Sequence, residues 1–227
     1  MRYGRMLGYR TSRVLEQAGG YIEQISANLT TQYIGQFPTF MPKIVEALAE
    51  AQDTISIATD FPGYGIFSNH EQYIAYKTAI ERKVLDELEI TMVVLNKKER
   101  RRLHAIQFRD MTLEELQNPN NASFDNFLRW SRRERGEIRD MKDFATALGE
   151  EQTRALKQDF RGVNRKEFSG NMPLYIWIVD DKIAVFSIPA LAGGAREGAF
   201  LTRDHRLISE LHTIFKNYAA ASSPVSP

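Results

Sequence analysis

The sequence predicts an α/β fold, a sandwich of helices around a mixed, partly parallel sheet, with a helix in front of it. Two observations carry this. From Pro42 to Asn96 the pattern runs helix, strand, loop, long helix, strand. That order brings two strands side by side in parallel. Nearer the other end, "MPLYIWIVDDKIAVFSIPALAGGAREGAFLTRDHRLISELHTIF" (172–215) reads as strand, tight Asp180-Asp181 turn, strand, glycine loop, short strand and helix.

The elements follow in order. In residues 1 to about 32, Leu15, Ala18, Ile22, Ile25 and Leu29 recur at steps of three and four. This is a narrow apolar seam, suited to a helix packing on its own domain or to a dimerisation helix. The chain breaks at Pro38, and Pro42 stands at a favoured first-turn position. The helix that follows has an apolar face of Ile44, Val45, Leu48 and Ala51. Thr54–Thr59 is rich in β-branched residues and reads as a strand, with Asp60 to Gly65 as its loop. A long helix carries Tyr73, Ile74, Lys77, Ile80, Val84, Leu85 and Leu88. Ile90–Asn96 is a second strand, parallel to the first.

From Lys97 to Gly162 no strand pattern is visible, and charged helices are expected. Arg100, Arg101, Arg102, Arg132, Arg133 and Arg135 there form either a solvated surface or an anion-binding rim. Asp204 is a candidate N-cap for the last helix. The expected organisation is an N-terminal helical segment (1–35), one α/β domain (36–218) and a disordered tail (219–227).

Composition excludes several classes. The chain has 227 residues, 43% hydrophobic and 26% charged, with a formal charge of +1. A balance so near neutral gives no strong nucleic-acid signal. There is no cysteine, so disulfides and thiolate chemistry are excluded. No apolar run approaches the roughly 20 residues of a membrane span. The opening residues lack a signal-peptide core, and a cytoplasmic protein is expected. His70, His104, His205 and His212 show no metal-ligand spacing, and no nucleotide-binding glycine motif occurs. No metal or cofactor is expected.

The segment 172–215 resembles the phospholipase-D-like superfamily. In that family a strand carries histidine, any residue, lysine, four residues and aspartate. A turn, a strand, a small polar element, a glutamate and a helix follow. Asp180 matches the aspartate and Glu197 the glutamate. "FSIPA" stands where the small polar element belongs, with Ser187 and Ala190 in its outer places. The front half, with "TISIATD" and "EITMVVLN", resembles the family too, and the likeness covers about 36–218. It implies the α/β sandwich and a cleft shared between two such halves, so a homodimer is expected.

The family's histidine attacks phosphorus and its lysine neutralises the phosphate. Here those places hold Pro173 and Tyr175, and a slip of one residue substitutes Leu174 and Ile176. Proline offers no nucleophile and tyrosine no positive charge. The expectation is therefore a non-catalytic domain used for ligand sensing, regulation or interaction. Its ligand would be an anionic small molecule, a lipid head group or a nucleotide. The alternative is a divergent phosphodiesterase or nuclease drawing on His70 or His104. Strand alternation puts Pro173, Tyr175, Trp177 and Val179 on one face. Asp60 and Tyr64 lie where ligands meet the carboxyl ends of parallel strands. The candidate site is Asp60, Tyr64, Tyr175, Trp177, Asp180, Arg196 and Glu197.

Overall fold

Eight strands form one sheet among the described residues: β1 (Thr31–Gln36), β2 (Thr54–Thr59), β3 (Glu89–Leu95), β4 (Asn164–Phe168), β5 (Tyr175–Val179), β6 (Ile183–Ile188), β7 (Gly198–Thr202) and β8 (Ser222–Pro224). The coordinates are a computed structural model, and they describe residues 30–61, 63–64, 70–108, 111–118, 122–158, 160–189 and 197–224. Among the described residues seven α-helices accompany the sheet: α1 (Met41–Ala49), α2 (His70–Leu85), α3 (Lys97–Gln107), α4 (Leu113–Leu116), α5 (Ala122–Ser131), α6 (Met141–Gln158) and α7 (His205–Ala220).

The strand order is β1-β7-β6-β5-β2-β3-β4-β8. β3 runs parallel to β2 and to β4, and the other neighbours are antiparallel. The architecture is the mixed α/β sandwich that the sequence and its resemblance imply. The first crossover, from β2 to β3, is made by α2. The second, from β3 to β4, is made by the all-helical stretch from α3 to α6.

β5 lies at the centre, and all five of its residues are buried. A continuous apolar run of that kind belongs to a strand covered on both faces. Trp177 on one face reaches Tyr76 of α2, and α1 packs on α2 and on β5. α7 supplies the other layer through Ile208, Leu211, Phe215 and Tyr218, against β2, β4, β5 and β6.

Local chemistry sets the joints. Asp180 and Asp181 take φ of 50° and 53°, and the Lys182 amide donates to Val179 O at 2.9 Å. Two left-handed central residues make a type I′ hairpin, which aspartate tolerates better than most residues. Asp204 caps α7 by accepting from the amides of Arg206 and Leu207 at 2.8 and 3.1 Å. Asn96 caps α3 in the same way through the Glu99 amide, at 2.9 Å.

Three segments differ from expectation. Thr31–Gln36 extends the sheet as an antiparallel neighbour of β7, ahead of the expected domain start at Gln36. Asn164–Phe168, expected as a lead-in, is a strand parallel to β3. The expected disordered tail (219–227) is corrected in part. α7 runs to Ala220, and Ser222–Pro224 pairs with β4. The free edge of β4 satisfies its backbone groups there, and the Ser222 hydroxyl donates to Tyr218 O at 2.6 Å. The helical seam Leu15 to Leu29 and residues 225–227 lie outside the described residues.

Candidate functional site

Five chain segments meet at one end of the sheet. β2 runs toward this end and is followed by Asp60. β5 runs the opposite way, so its first residue, Tyr175, starts here. Tyr175 pairs with Ser187 on β6, and Ser187 pairs with Ala199 on β7, two residues past Glu197. β3 also ends here and leads into α3, whose first turns carry Arg100. The sheet register alone therefore gathers Asp60, Tyr175, Ser187 and Glu197.

The side chains join into one hydrogen-bonded cluster. The Tyr64 hydroxyl donates to Glu197 Oε1 at 2.5 Å, and the Ser187 hydroxyl donates to the same oxygen. The Tyr175 hydroxyl interacts with the Asp60 carboxylate and favours its charged form. Tyr64 is the hub of the aromatic packing. Its ring lies 5.0 Å from that of Trp177 and 6.0 Å from that of Tyr175, both edge-on. Beneath it, the Trp177 indole donates to the Tyr76 hydroxyl at 3.1 Å. Tyr175 is 3% exposed and Trp177 fully buried, so both are uncharged, packed side chains.

Burial governs the protonation of the cluster. It pushes Glu197 up to about 7, and the nearby Asp60 charge adds to the rise. The hydroxyls of Ser187 and Tyr64 oppose it. Part of the Asp60 residue stays accessible, yet burial of its carboxyl pushes it up to about 6. The Phe61 amide, Arg100 and the Tyr175 hydroxyl pull the other way. Tyr64 and Tyr175 are both raised far above the usual phenol range, first by burial and then by the neighbouring carboxylates. At neutral pH the tyrosines are donors, and the two carboxyls share between them less than two full charges.

Arg100 is the cation of this end. It is 3% exposed, donates to Leu95 O, and lies 3.6 Å from Glu167 Oε1. Burial lowers its pKa, and the charges of Glu167 and Asp60 oppose that. The sequence places Arg100 among arginines of a solvated surface or an anion-binding rim, and the structure buries it. Its helical spacing to Leu103, three residues on, was the available sign that it faces inward. The others do not form one rim: Arg133 pairs with Glu150 and Arg135 with Asp125, at 2.6 and 2.7 Å. Ser187, which the resemblance places in the small polar element but which is not among the candidate site residues, is set opposite Tyr175 by the β5–β6 register.

The chain is similar in structure to a phospholipase D family member. That protein is Nuc from Salmonella typhimurium, at 13% identity over 87% of this chain and 98% of that one, TM-score 0.42. NucT from Helicobacter pylori matches at 10% identity over 86% and 98%, TM-score 0.46. The archaeal chromatin protein TrmBL2, described with a novel mode of DNA binding, matches at 13% identity over 98% of this chain and 67% of that one, TM-score 0.44. No family model and no curated protein matches the chain.

Of the candidate residues, Asp60, Tyr64, Tyr175, Trp177 and Glu197 come together, and Arg196 lies outside the described residues. Asp180 stands at the far end of β5. Its carboxylate accepts from the amides of Gln52, Asp53 and Thr54 at 2.8, 2.9 and 2.8 Å. These bonds hold its pKa below the usual carboxylate range and fix the entry to β2. Asp180→Ala removes three acceptor contacts and an αL-tolerant residue. The expected loss is about 1–2 kcal/mol, read from urea midpoints. A variant as stable as the parent would refute this anchoring. Among the described residues no group of histidines and acids could hold a metal ion, and no helix is long and apolar enough to cross a membrane.

Proposed function

We propose that this chain is a non-catalytic phospholipase-D-like domain serving ligand sensing, regulation or interaction. One observation carries the reading. Tyr175, in the lysine position, is buried and interacts with Asp60, while Pro173, in the histidine position, is exposed at the strand entrance. Phosphodiester transfer at this motif needs an activated nucleophile beside a cation for the phosphate. The groups acting most strongly on Asp60 and Glu197 are tyrosines, a serine, Arg100 and backbone amides, with no histidine among them. His104 instead bonds Gln152 on α6. An anionic small molecule, lipid head group or nucleotide remains the ligand class for this reading.

The test is turnover of a generic aryl phosphodiester. The expected result is no hydrolysis above the buffer blank. Hydrolysis that disappears in a His70→Ala, His104→Ala double variant would establish the divergent phosphodiesterase instead.

We also propose a homodimer. Across β1, β7 and β6, Tyr33 meets Phe200 edge-on and Phe200 stacks on Phe186, with ring centroids 5.4 and 5.3 Å apart. Tyr33 is 56% exposed, and Ile188, two residues from Phe186 on the same face, is 54% exposed. A contiguous apolar patch of this kind favours a self-complementary twofold contact. Sedimentation at micromolar concentration is expected to give a dimer that Tyr33→Glu with Ile188→Glu dissociates. A monomeric parent protein would overturn the assignment.

A further inference from the structure

We propose that the helical layer between β3 and β4 holds a binding site for an apolar carboxylate, a fatty-acid-like ligand of medium chain length. The inference is independent of the cluster at the sheet end, with which the site shares no lining residue. α3 and α6 pack together and enclose a cavity of about 400 Å³. That is the size of a small-molecule pocket. Its floor is apolar: Phe108, Met141 and Phe144, with the two phenyl rings edge-on at 5.3 Å.

Two cations stand at its exposed side. Arg101 and Lys142 both line the cavity, and both are exposed. Among the described residues neither has an ion-pair or hydrogen-bond partner. The neighbouring acids are engaged elsewhere: Asp143 accepts from Arg139 and Glu150 from Arg133. The cavity therefore offers uncompensated positive charge over an apolar floor. That combination selects an amphiphile with an anionic head and discriminates against a cationic one.

His104 supplies a neutral donor in the same wall. The side-chain amide of Gln152, itself 3% exposed, lies 3.2 Å from His104 Nε2. An amide nitrogen only donates, so Nε2 is the acceptor and Nδ1 carries the hydrogen. Burial and the Arg100 charge push His104 down to about 4, which keeps the ring neutral at physiological pH. The Nδ1–H is thus available to a carboxylate oxygen, and the imidazole adds no charge of its own.

Gly149 provides a test that spares the fold. A Cβ built there meets nothing within 4 Å, although the residue lines the cavity. Gly149→Phe has room for its Cβ and should place its ring toward the cavity from the α6 side, and it exchanges glycine for a better helix former. The measurement is isothermal titration calorimetry of the full chain with decanoate, using decyltrimethylammonium as the cationic control. Decanoate is expected to bind, with the control at least about tenfold weaker. Arg101→Glu with Lys142→Glu should abolish or invert that preference. Gly149→Phe should abolish decanoate binding while leaving the melting temperature unchanged or raised. Absence of decanoate binding to the parent chain overturns the proposal. Binding that persists unchanged in both variants overturns it as well.

Discussion

Replacing Trp177 by alanine is expected to lower the free energy of unfolding by about 3–5 kcal/mol, the range for truncating a buried tryptophan. The residue is fully buried at the centre of β5, between Ile57 on β2 and Val185 on β6. Its ring lies against Tyr64, and its indole bonds Tyr76. Truncation therefore opens a cavity under the cluster and leaves a buried hydroxyl without its donor. A domain of this size has about 5–15 kcal/mol in all, so the variant should be close to unfolding at 37 °C. Trp177→Phe should cost less, because it keeps most of the volume and loses only the indole donor. Urea denaturation reads both. Equal stability of Trp177→Ala and the parent would contradict the packing described above.

The stability that Glu197 and Asp60 contribute should fall as the pH rises from about 4 to about 7, while His104, pushed down to about 4, acts in the opposite sense over the same range. Glu197 is raised from an ordinary 4.5 to about 7, and Asp60 from 3.8 to about 6. A raised carboxyl binds its proton more tightly in the native chain than in the unfolded one. Its contribution is complete below the unfolded value and is lost progressively up to the folded one. Glu197→Gln mimics the protonated form and still accepts from Ser187 and Tyr64. At pH 8 it is expected to stabilise the fold by about 2 kcal/mol, less than the full shift implies because Glu197 keeps some solvent contact. At pH 4 the gain should vanish. Asp180, with a lowered pKa, acts in the opposite sense at more acid pH, outside this window. Urea midpoints of the variant and the parent at the two pH values decide the matter, and a Glu197→Gln variant no more stable than the parent at pH 8 would refute the assignment.

What was legible in the sequence had a local cause. Thr54–Thr59 carries its strand signal in its own β-branched residues, and β2 has those bounds. The Asp180-Asp181 turn and the Asp204 cap likewise depend on side chains a few residues away. β4 was not legible, because Asn164–Phe168 has no apolar alternation and is a strand only through the ladder offered by β3. The candidate site divides in the same way. Tyr175 and Trp177 follow from alternation, and Asp60 from the rule about strand ends. Asp180 was grouped with them through the resemblance, yet it closes the other end of β5. Five residues of extended chain separate it from Tyr175 by about 16 Å. For Arg100 and Ser187 the sequence offers a helical spacing and a motif place, but their meeting with Asp60 and Glu197 depends on contacts between distant segments.

The two outer strands limit how the sheet can grow. β1 carries a register irregularity between Tyr33 and Gly35, where Gly35 takes φ of +119°. β8 has only three residues and ends on Pro224, which lacks an amide hydrogen. A kinked edge on one side and a short, proline-ended edge on the other are poor templates for a further strand. Stacking of copies edge to edge, the route to fibrous aggregates, is therefore disfavoured at both margins. Any association between copies would be left to the faces of the layers, where side chains rather than backbone amides choose the partner.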